Sequence, residues 1–429
     1  MGVSAQPRLL AIMGSGETSP TMVTIHKALV ARLGNGDHSA ILLDTPYAFQ
    51  ENASEISART QSYFARSVGL KVEVASDAAP ARLAAIRSAD WAFCGPGSPS
   101  YALSRWRGGP VADALRDRIA AGTGITVIAS AAAAVTGFVA VPVYEIYKVG
   151  AEPHWLEGLD LFGVLGLKVA VIPHYDNAEG GTHDTRFCYL GERRLTVLER
   201  ELPEDAAVLG VDEHTALIFD LATLAAEVVG RGGATVRKAG VSTVLPSGSR
   251  VSVADLRVMV RIGAPVPGAG TDGQDASGRG GRSEPDRDQP ARQPDPAHRS
   301  LNEVTADSQA RFEAAARDRD SATMVSAILD LEAAIQAWAT DTDENDDSDR
   351  ARAVLRGLVT RLGRTAEQGL ADPADRLRPA VEPLIALRDT LRKDRSYAAA
   401  DAIRDALTAA GVELRDSPDG TRWDGSPAR

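Results

Sequence analysis

Residues 264–300, APVPGAGTDGQDASGRGGRSEPDRDQPARQPDPAHRS, constrain this chain more than any other stretch. Gly, Pro, Asp, Arg and Ser dominate it, and such a composition cannot bury enough apolar surface to offset the entropy of ordering it. The expectation is a disordered linker over 262–300 that separates residues 1–261 from residues 301–429. A length of 429 residues accommodates two folding units, and 44% hydrophobic with 24% charged residues leaves ample material for their cores.

The amino-terminal part alternates short apolar runs with amphipathic segments. Arg8–Met13, Ala40–Leu43, Lys71–Ala75, Trp91–Cys94, Thr126–Ala129 and Val169–Ile172 read as buried strands. Between them Pro20–Leu33, Ser54–Val68, Pro80–Ser88 and Pro110–Ala121 carry apolar positions at helical spacing. This alternation predicts an α/β fold with a doubly wound, mostly parallel sheet covered by helices on both faces. After Val208–Val211 the pattern changes to closely spaced segments (Thr215–Phe219, Glu227–Gly230 and Ala234–Lys238), which predicts antiparallel strands at one edge.

From Leu301 the sequence turns helical. Val304–Asp318, Ser321–Thr340, Ser348–Gln368, Arg376–Arg392 and Tyr397–Ala410 show the 3.6-residue period and are rich in Ala, Leu, Glu and Arg. The acidic run Asp341–Asp347 reads as a solvated loop between helices, since it lacks the glycine and terminal glutamate of a calcium loop.

A net charge of −11 argues against a general nucleic-acid or anionic-membrane binder. Two cysteines, Cys94 and Cys188, supply neither a disulfide framework nor a thiolate zinc site, and both read as inert buried thiols. The first residues lack a basic segment followed by an apolar one, and no apolar run approaches the ~20 residues a bilayer requires. The expectation is a reduced, cytoplasmic protein that needs no membrane, metal or cofactor.

No phosphate-loop, HExxH, CxxC or GxSxG pattern occurs. Gly14-Ser15-Gly16-Glu17 follows a strand and precedes a helix, but without a third glycine it fits a tight turn as well as a dinucleotide site. The informative stretch is Thr126–Ala134, TVIASAAAA, in which a buried strand runs into Ser130 and only small residues follow. A nucleophile elbow needs this pattern, because the serine sits on a cramped strand-to-helix turn and the following N–H groups face an oxyanion. A serine N-cap before an Ala-rich helix fits the same residues. Gly95-Pro96-Gly97-Ser98, Pro173-His174-Tyr175 and Asp212-Glu213-His214 also end predicted strands, so their side chains can converge on one crevice despite their separation in sequence.

In their order along residues 8–240, these landmarks make the amino-terminal part resemble the serine peptidase family of α-aspartyl dipeptidase (peptidase E) and cyanophycinase. That family has the fold of class I glutamine amidotransferases. The resemblance implies hydrolysis of a peptide or amide bond, with Ser130 as nucleophile, His174 as general base and Glu213 as acidic partner. It implies an oxyanion hole from the N–H groups of Gly95 and Ala131. Arg186 and Ser98 are candidates for binding a small peptide or amide substrate. Aspartyl dipeptides and cyanophycin-like β-linked peptides come from the family alone. Ala132 departs from the family's Ser-Ala-Gly-Ala elbow, and an alanine there is harmless only if the position is already helical. Other readings stay open: His183 as the base, Asp176 as its partner or as a turn-forming carboxylate, and Arg186 as a surface ion pair.

The carboxy-terminal segments Leu387–Asp394, Ala400–Leu407 and Gly411–Trp423 are similar to the end of cysteinyl-tRNA synthetases, which helps bind tRNA. The chain lacks that enzyme's His-Ile-Gly-His and Lys-Met-Ser-Lys-Ser signatures. From Leu301 onward 18 Lys and Arg face 25 Asp and Glu, a charge of −7, so the resemblance implies at most a weak tRNA contact through Arg388, Arg392, Lys393, Arg395 and Arg404, residues that fit exposed i,i+4 ion pairs of a helical bundle better. The alternative function is therefore a catalytically degenerate binding module associated with tRNA or a synthetase. Oligomeric state is not legible.

Overall fold

The computed structural model describes residues 6–75, 79–179, 183–263, 299–340, 347–367, 373–417 and 420–424. Most of the predicted linker and residues 341–346 of the acidic run lie outside the described residues. The chain divides into two compact units, Met1–Ser300 with Ala337–Asn345, and Leu301–Gln336 with Asp346–Arg429.

In the first unit the strands begin with β1 (Leu9–Met13), β2 (Ala40–Leu43), β3 (Glu73–Val74), β4 (Trp91–Cys94) and β5 (Ile125–Ala129). They continue with β6 (Val139–Ala140), β7 (Leu156–Glu157), β8 (Val169–Ile172) and β9 (Ala207–Val211). The last are β10 (Thr215–Asp220), β11 (Ala225–Gly230), β12 (Gly233–Lys238), β13 (Val241–Pro246) and β14 (Arg250–Ser252). They form two sheets where the sequence predicts one. The first has the order β14-β11-β10-β1-β5-β4-β2-β3 and the second β13-β12-β9-β8-β6-β7.

The middle of the first sheet is parallel, as the alternation of strands and helices requires. Successive side chains of β1 enter different cores. Leu10 and Ile12 join Ile86, Leu115 and Ile119 of the helices Pro80–Ser88 and Pro110–Ala121. Leu9, Ala11 and Met13 join Leu29, Phe64, Trp91 and Phe93 on the opposite face. β1, β4 and β5 are buried along their whole length, so the residues that follow them leave from well-packed strand ends. The edge follows the predicted change of pattern: β10 runs antiparallel to β1 and pairs onward with β11 and β14. In the second sheet β8 and β9 are parallel, so their carboxyl ends share one rim.

The second unit holds the helices Leu301–Asp318, Ser321–Ala337, Asp347–Glu367, Pro373–Lys393 and Tyr397–Ala409. A hairpin of β15 (Glu413–Ser417) and β16 (Gly420–Asp424) follows, with Leu414 opposite Trp423. Val381, Leu407 and Val412 form a small core beneath the hairpin. Arg388, 1% exposed, forks onto Asp416 at 2.9 and 2.7 Å, and Arg392 reaches the same carboxylate at 2.8 Å. Two of the five cations proposed for tRNA contact are thus committed to holding the hairpin on its helix. Among the described residues no helix is long and apolar enough to cross a membrane.

Candidate active site

The site begins where β5 ends. All five residues of β5 are buried, and the chain enters the short helix Ser130–Ala134 with Ser130 at φ +47°. Left-handed backbone costs an L-residue about 1–2 kcal/mol, and here the buried strand behind and the packed helix ahead enforce it. The turn lifts the Ser130 hydroxyl off the strand end. Only small residues fit beneath it: Ala131–Ala134 are all buried, and Ala132 and Ala133 belong to the larger core. Ala132 is helical and is not among the positive-φ residues, so its methyl group packs into the core. Alanine is accommodated at the position where the related elbow carries glycine.

The Ala132 N–H donates to the carbonyl of Gly95 at 3.1 Å, which stitches the elbow to the loop after β4. Gly95 has no room for a side chain, since a Cβ would stand 2.6 Å from Glu17 Oε1 and 3.1 Å from the Phe93 ring. Ser98 N-caps the helix Pro99–Trp106, its hydroxyl accepting the Tyr101 N–H at 3.2 Å.

His174 follows β8 and is also left-handed, at φ +47°. Its Nε2 lies 3.0 Å from Ser130 Oγ and its Nδ1 lies 2.9 Å from Glu213 Oε1. An ionised carboxylate only accepts, so Nδ1 carries the proton and Nε2 presents its lone pair to the serine O–H. Burial pushes the Glu213 carboxyl upward. The hydrogen bond and charge of His174, the Asn177 amide and the charge of His214 outweigh burial and hold Glu213 below the ordinary carboxylate range. Around this carboxylate, burial and then the charge of Asp176 push Asp212 up to about 6, against the Gly233 N–H that lowers it.

The glycine-rich turn after β1 has a role that sequence reasoning missed. A Cβ on Gly14 would lie 2.1 Å from the Asp212 carbonyl oxygen and 2.5 Å from that of Val211. The turn therefore fits against the chain's own loop carrying Glu213, and the His214 N–H donates back to the Ser15 carbonyl at 3.2 Å. His214 Nδ1 also meets Thr21 Oγ1 at 3.0 Å.

The remaining candidates fall elsewhere. Asp176 does not receive the imidazole; its carboxylate accepts the Glu213 backbone N–H at 2.7 Å. His183 is exposed, with its ring stacked 6.3 Å from Tyr147. Arg186 forks onto Asp184 at 2.8 and 2.9 Å, a surface ion pair that a substrate carboxylate would have to displace. Cys94 and Cys188 are free, buried thiols, and burial pushes Cys188 up to about 12. Sequence reasoning also missed the turn Phe187-Cys188-Tyr189, three consecutive left-handed residues at φ +62°, +55° and +63°. It is pinned by Phe187 N–H on the Tyr175 carbonyl (2.9 Å) and Cys188 N–H on the His174 carbonyl (3.0 Å). No glycine or asparagine marks those three positions, so no sequence signal could have found the turn.

The site of this α/β protein is thus a serine on a strand-to-helix elbow, bonded to a histidine that is bonded to a carboxylate. The profile of peptidase family S51 matches residues 9–225, and the chain belongs to that family. A peptidase from an acI-B1 Actinobacterium superposes with TM-score 0.46 at 19% identity, covering 58% of this chain and 98% of that one. The carboxy-terminal part is similar to cysteine–tRNA ligases. That of Thermosipho melanesiensis is 31% identical over 119 residues, 28% of this chain and 25% of the ligase. That of Proteus mirabilis is 46% identical over 79 residues, 17% of each chain. The chain thus spans a quarter or less of the length of these ligases.

Proposed function

We propose that the chain hydrolyses a peptide or amide bond by serine-type catalysis, with Ser130, His174 and Glu213 acting together. The observation that carries this reading is the unbroken line of contacts from Ser130 Oγ to His174 Nε2 (3.0 Å) and from His174 Nδ1 to Glu213 Oε1 (2.9 Å). As Ser130 attacks the substrate carbonyl carbon, its proton passes to His174 Nε2, and Glu213 stabilises the imidazolium that forms. Negative charge develops on the carbonyl oxygen, and the Gly95 and Ala131 N–H groups are the proposed donors to it. Support for Ala131 is that it lies in the first turn of its helix, where an N–H has no intrahelical acceptor. Collapse expels the amine, which takes the proton from His174. Water then attacks the acyl-serine by the same route, restoring the hydroxyl and releasing the acid. Membership of a peptidase family supports a peptide substrate.

The test is labelling with a fluorophosphonate probe, which reports serine nucleophilicity without knowledge of the substrate. Wild type should label at Ser130, labelling should vanish in both Ser130→Ala and His174→Ala, and turnover in either variant should fall by ~10⁴–10⁶-fold. A folded wild-type protein that resists the probe would refute the reading and leave Ser130 as a helix-capping residue.

A second reading concerns the helical unit, whose likeness to cysteine–tRNA ligases favours contact with tRNA. The proposed contact is weak, because Arg388 and Arg392 already serve Asp416.

A further inference from the structure

Asn177, three residues after His174, is fully buried, and each of its polar groups has a partner. Its backbone N–H donates to the His174 carbonyl at 3.3 Å, and its own carbonyl accepts the Thr185 hydroxyl at 3.4 Å. Its side-chain Oδ1 accepts the Glu179 N–H at 3.3 Å, and its Nδ2 donates to Glu213 Oε1 at 3.1 Å. The two side-chain contacts settle the orientation of the amide, because an N–H needs an acceptor and a carboxylate needs a donor. Asp176, its neighbour, holds the Glu213 backbone N–H at 2.7 Å. One short turn thus carries the imidazole and grips Glu213 by main chain and side chain together. A glutamate has three freely rotating side-chain bonds, and its hydrogen bond to the imidazole alone would leave the carboxylate poorly fixed. A second donor on the same oxygen removes that freedom and keeps the oxygen an acceptor toward Nδ1.

We propose that Asn177 is a positioning residue, whose side-chain amide fixes the Glu213 carboxylate where it holds His174 in the tautomer that Ser130 requires. This rests on the reading of Ser130, His174 and Glu213 as a catalytic unit, and deepens it. Asn177 touches neither the serine nor the imidazole ring through its side chain, so its effect passes through Glu213.

Asn177→Asp separates this role from a structural one. The introduced carboxyl keeps the shape and the Oδ1 acceptor for Glu179 N–H; once ionised it offers Glu213 no donor and adds a second negative charge beside it. A purely structural role predicts a changed melting temperature with labelling like wild type; the positioning role predicts a second negative group beside Glu213 and a His174 imidazole held in the wrong state for Ser130. Asp176, Asp212, His214, Cys188 and Tyr189, the other titratable groups facing Glu213 and the imidazole, are unchanged by the substitution. The readout is the histidine imidazole titration of the full chain by NMR, with His174 assigned through His174→Ala, alongside the fluorophosphonate labelling rate. In Asn177→Asp the His174 imidazole should titrate about one pH unit higher, since added negative charge favours the protonated ring. Its labelling at pH 7 should fall at least tenfold. Asn177→Ala should label about 10–100-fold more slowly without that upward shift, as expected for loss of a partner that orients another ligand of the imidazole. If Asn177→Asp titrates and labels like wild type, the proposal is overturned, and it is overturned equally if Asn177→Ala changes only the melting temperature. The imidazole titration does not require catalysis. A His174 shift in a protein whose wild type never labels would sustain the positioning and sink the peptidase reading, whereas normal labelling with no shift would do the reverse.

Discussion

Gly14→Ala tests how the fold sets the distance between Glu213 and His174. The substitution lies in the turn after β1, outside the proposed chemistry. Its Cβ would meet the Asp212 carbonyl oxygen at 2.1 Å, where contacts under 3.0 Å are essentially never found. Both partners are backbone, so no side chain can rotate away, and the segment leading into Glu213 must retreat by about 1 Å. The Gly14 N–H is bonded to the Thr215 carbonyl at 3.1 Å, which resists movement from the other side. Overpacking of this kind costs about 1–3 kcal/mol, equivalent to roughly 2–12 °C in melting temperature for a unit of this size. The functional loss should be larger in proportion. A shift of about 1 Å in Glu213 takes its 2.9 Å bond to His174 Nδ1 beyond hydrogen-bond length, and misplacement of that size costs roughly 10²-fold in rate. The assay is the second-order rate of fluorophosphonate labelling at 25 °C, with a calorimetric melt of the same sample to show that it is folded. A folded Gly14→Ala protein that labels at the wild-type rate would refute the claim that this turn sets the acid's position.

Two further outcomes are expected. His26 is fully buried among Tyr63, Phe64, Trp91 and Phe93, and burial lowers it from 6.5 to about 3. The folded state keeps it neutral while the unfolded chain takes up a proton, so its contribution is intact above pH 6.5 and is lost progressively as pH falls toward 3. At pH 4.5 the loss is on the order of 3 kcal/mol, and urea melts of His26→Phe should show a correspondingly flatter decline between pH 6.5 and 4.5; an unchanged decline would contradict it. For the helical unit, filter binding should show weak tRNA affinity that collapses as salt rises, because few arginines remain to meet phosphate. Tight binding that survives salt would raise RNA recognition above hydrolysis as the chain's main task.

The strands and helices of the α/β unit were legible because their signal is local. The apolar run of β5, the serine and the small residues after it sit within ten positions. The distance from Ser130 to His174 is a different kind of fact, set by how β5 and β8 of two separate sheets end near one another. Family resemblance supplied that pairing where periodicity could not, and it likewise singled out Glu213 from the neighbouring Asp212 and from Asp176. Asn177 stayed hidden because a buried amide and a turn-forming asparagine look alike in sequence; only the 3.1 Å bond to Glu213 distinguishes them. Arg186 illustrates the opposite difficulty. Its guanidinium is satisfied by Asp184, two residues away, a pairing that costs little chain entropy and that a search for distant partners passes over.

The backbone strain and the division into two sheets are connected. Ser130, His174 and His214 are all left-handed, at φ +47°, +47° and +53°, and lie at or near the ends of buried strands. At about 1–2 kcal/mol each, such residues consume a real share of the 5–15 kcal/mol that stabilises a typical domain, so the surrounding packing must enforce them. In an extended strand the next side chain would point into one of the cores; a left-handed residue instead turns the side chain up over the strand end. The first sheet contributes Ser130 after β5 and Gly95 after β4, tied by the Ala132–Gly95 bond. The second contributes His174 after β8 and Glu213 after β9, tied through Asp176 and Asn177. Each sheet therefore carries a rigid half of the constellation, and the 3.0 Å contact between Ser130 and His174 bridges them. The Gly14 turn is a second such bridge, since β1 and β10 belong to the first sheet while the Asp212 carbonyl that Gly14 faces follows β9. Small displacements between the sheets would change the Ser130–His174 distance while leaving each pair within a sheet intact.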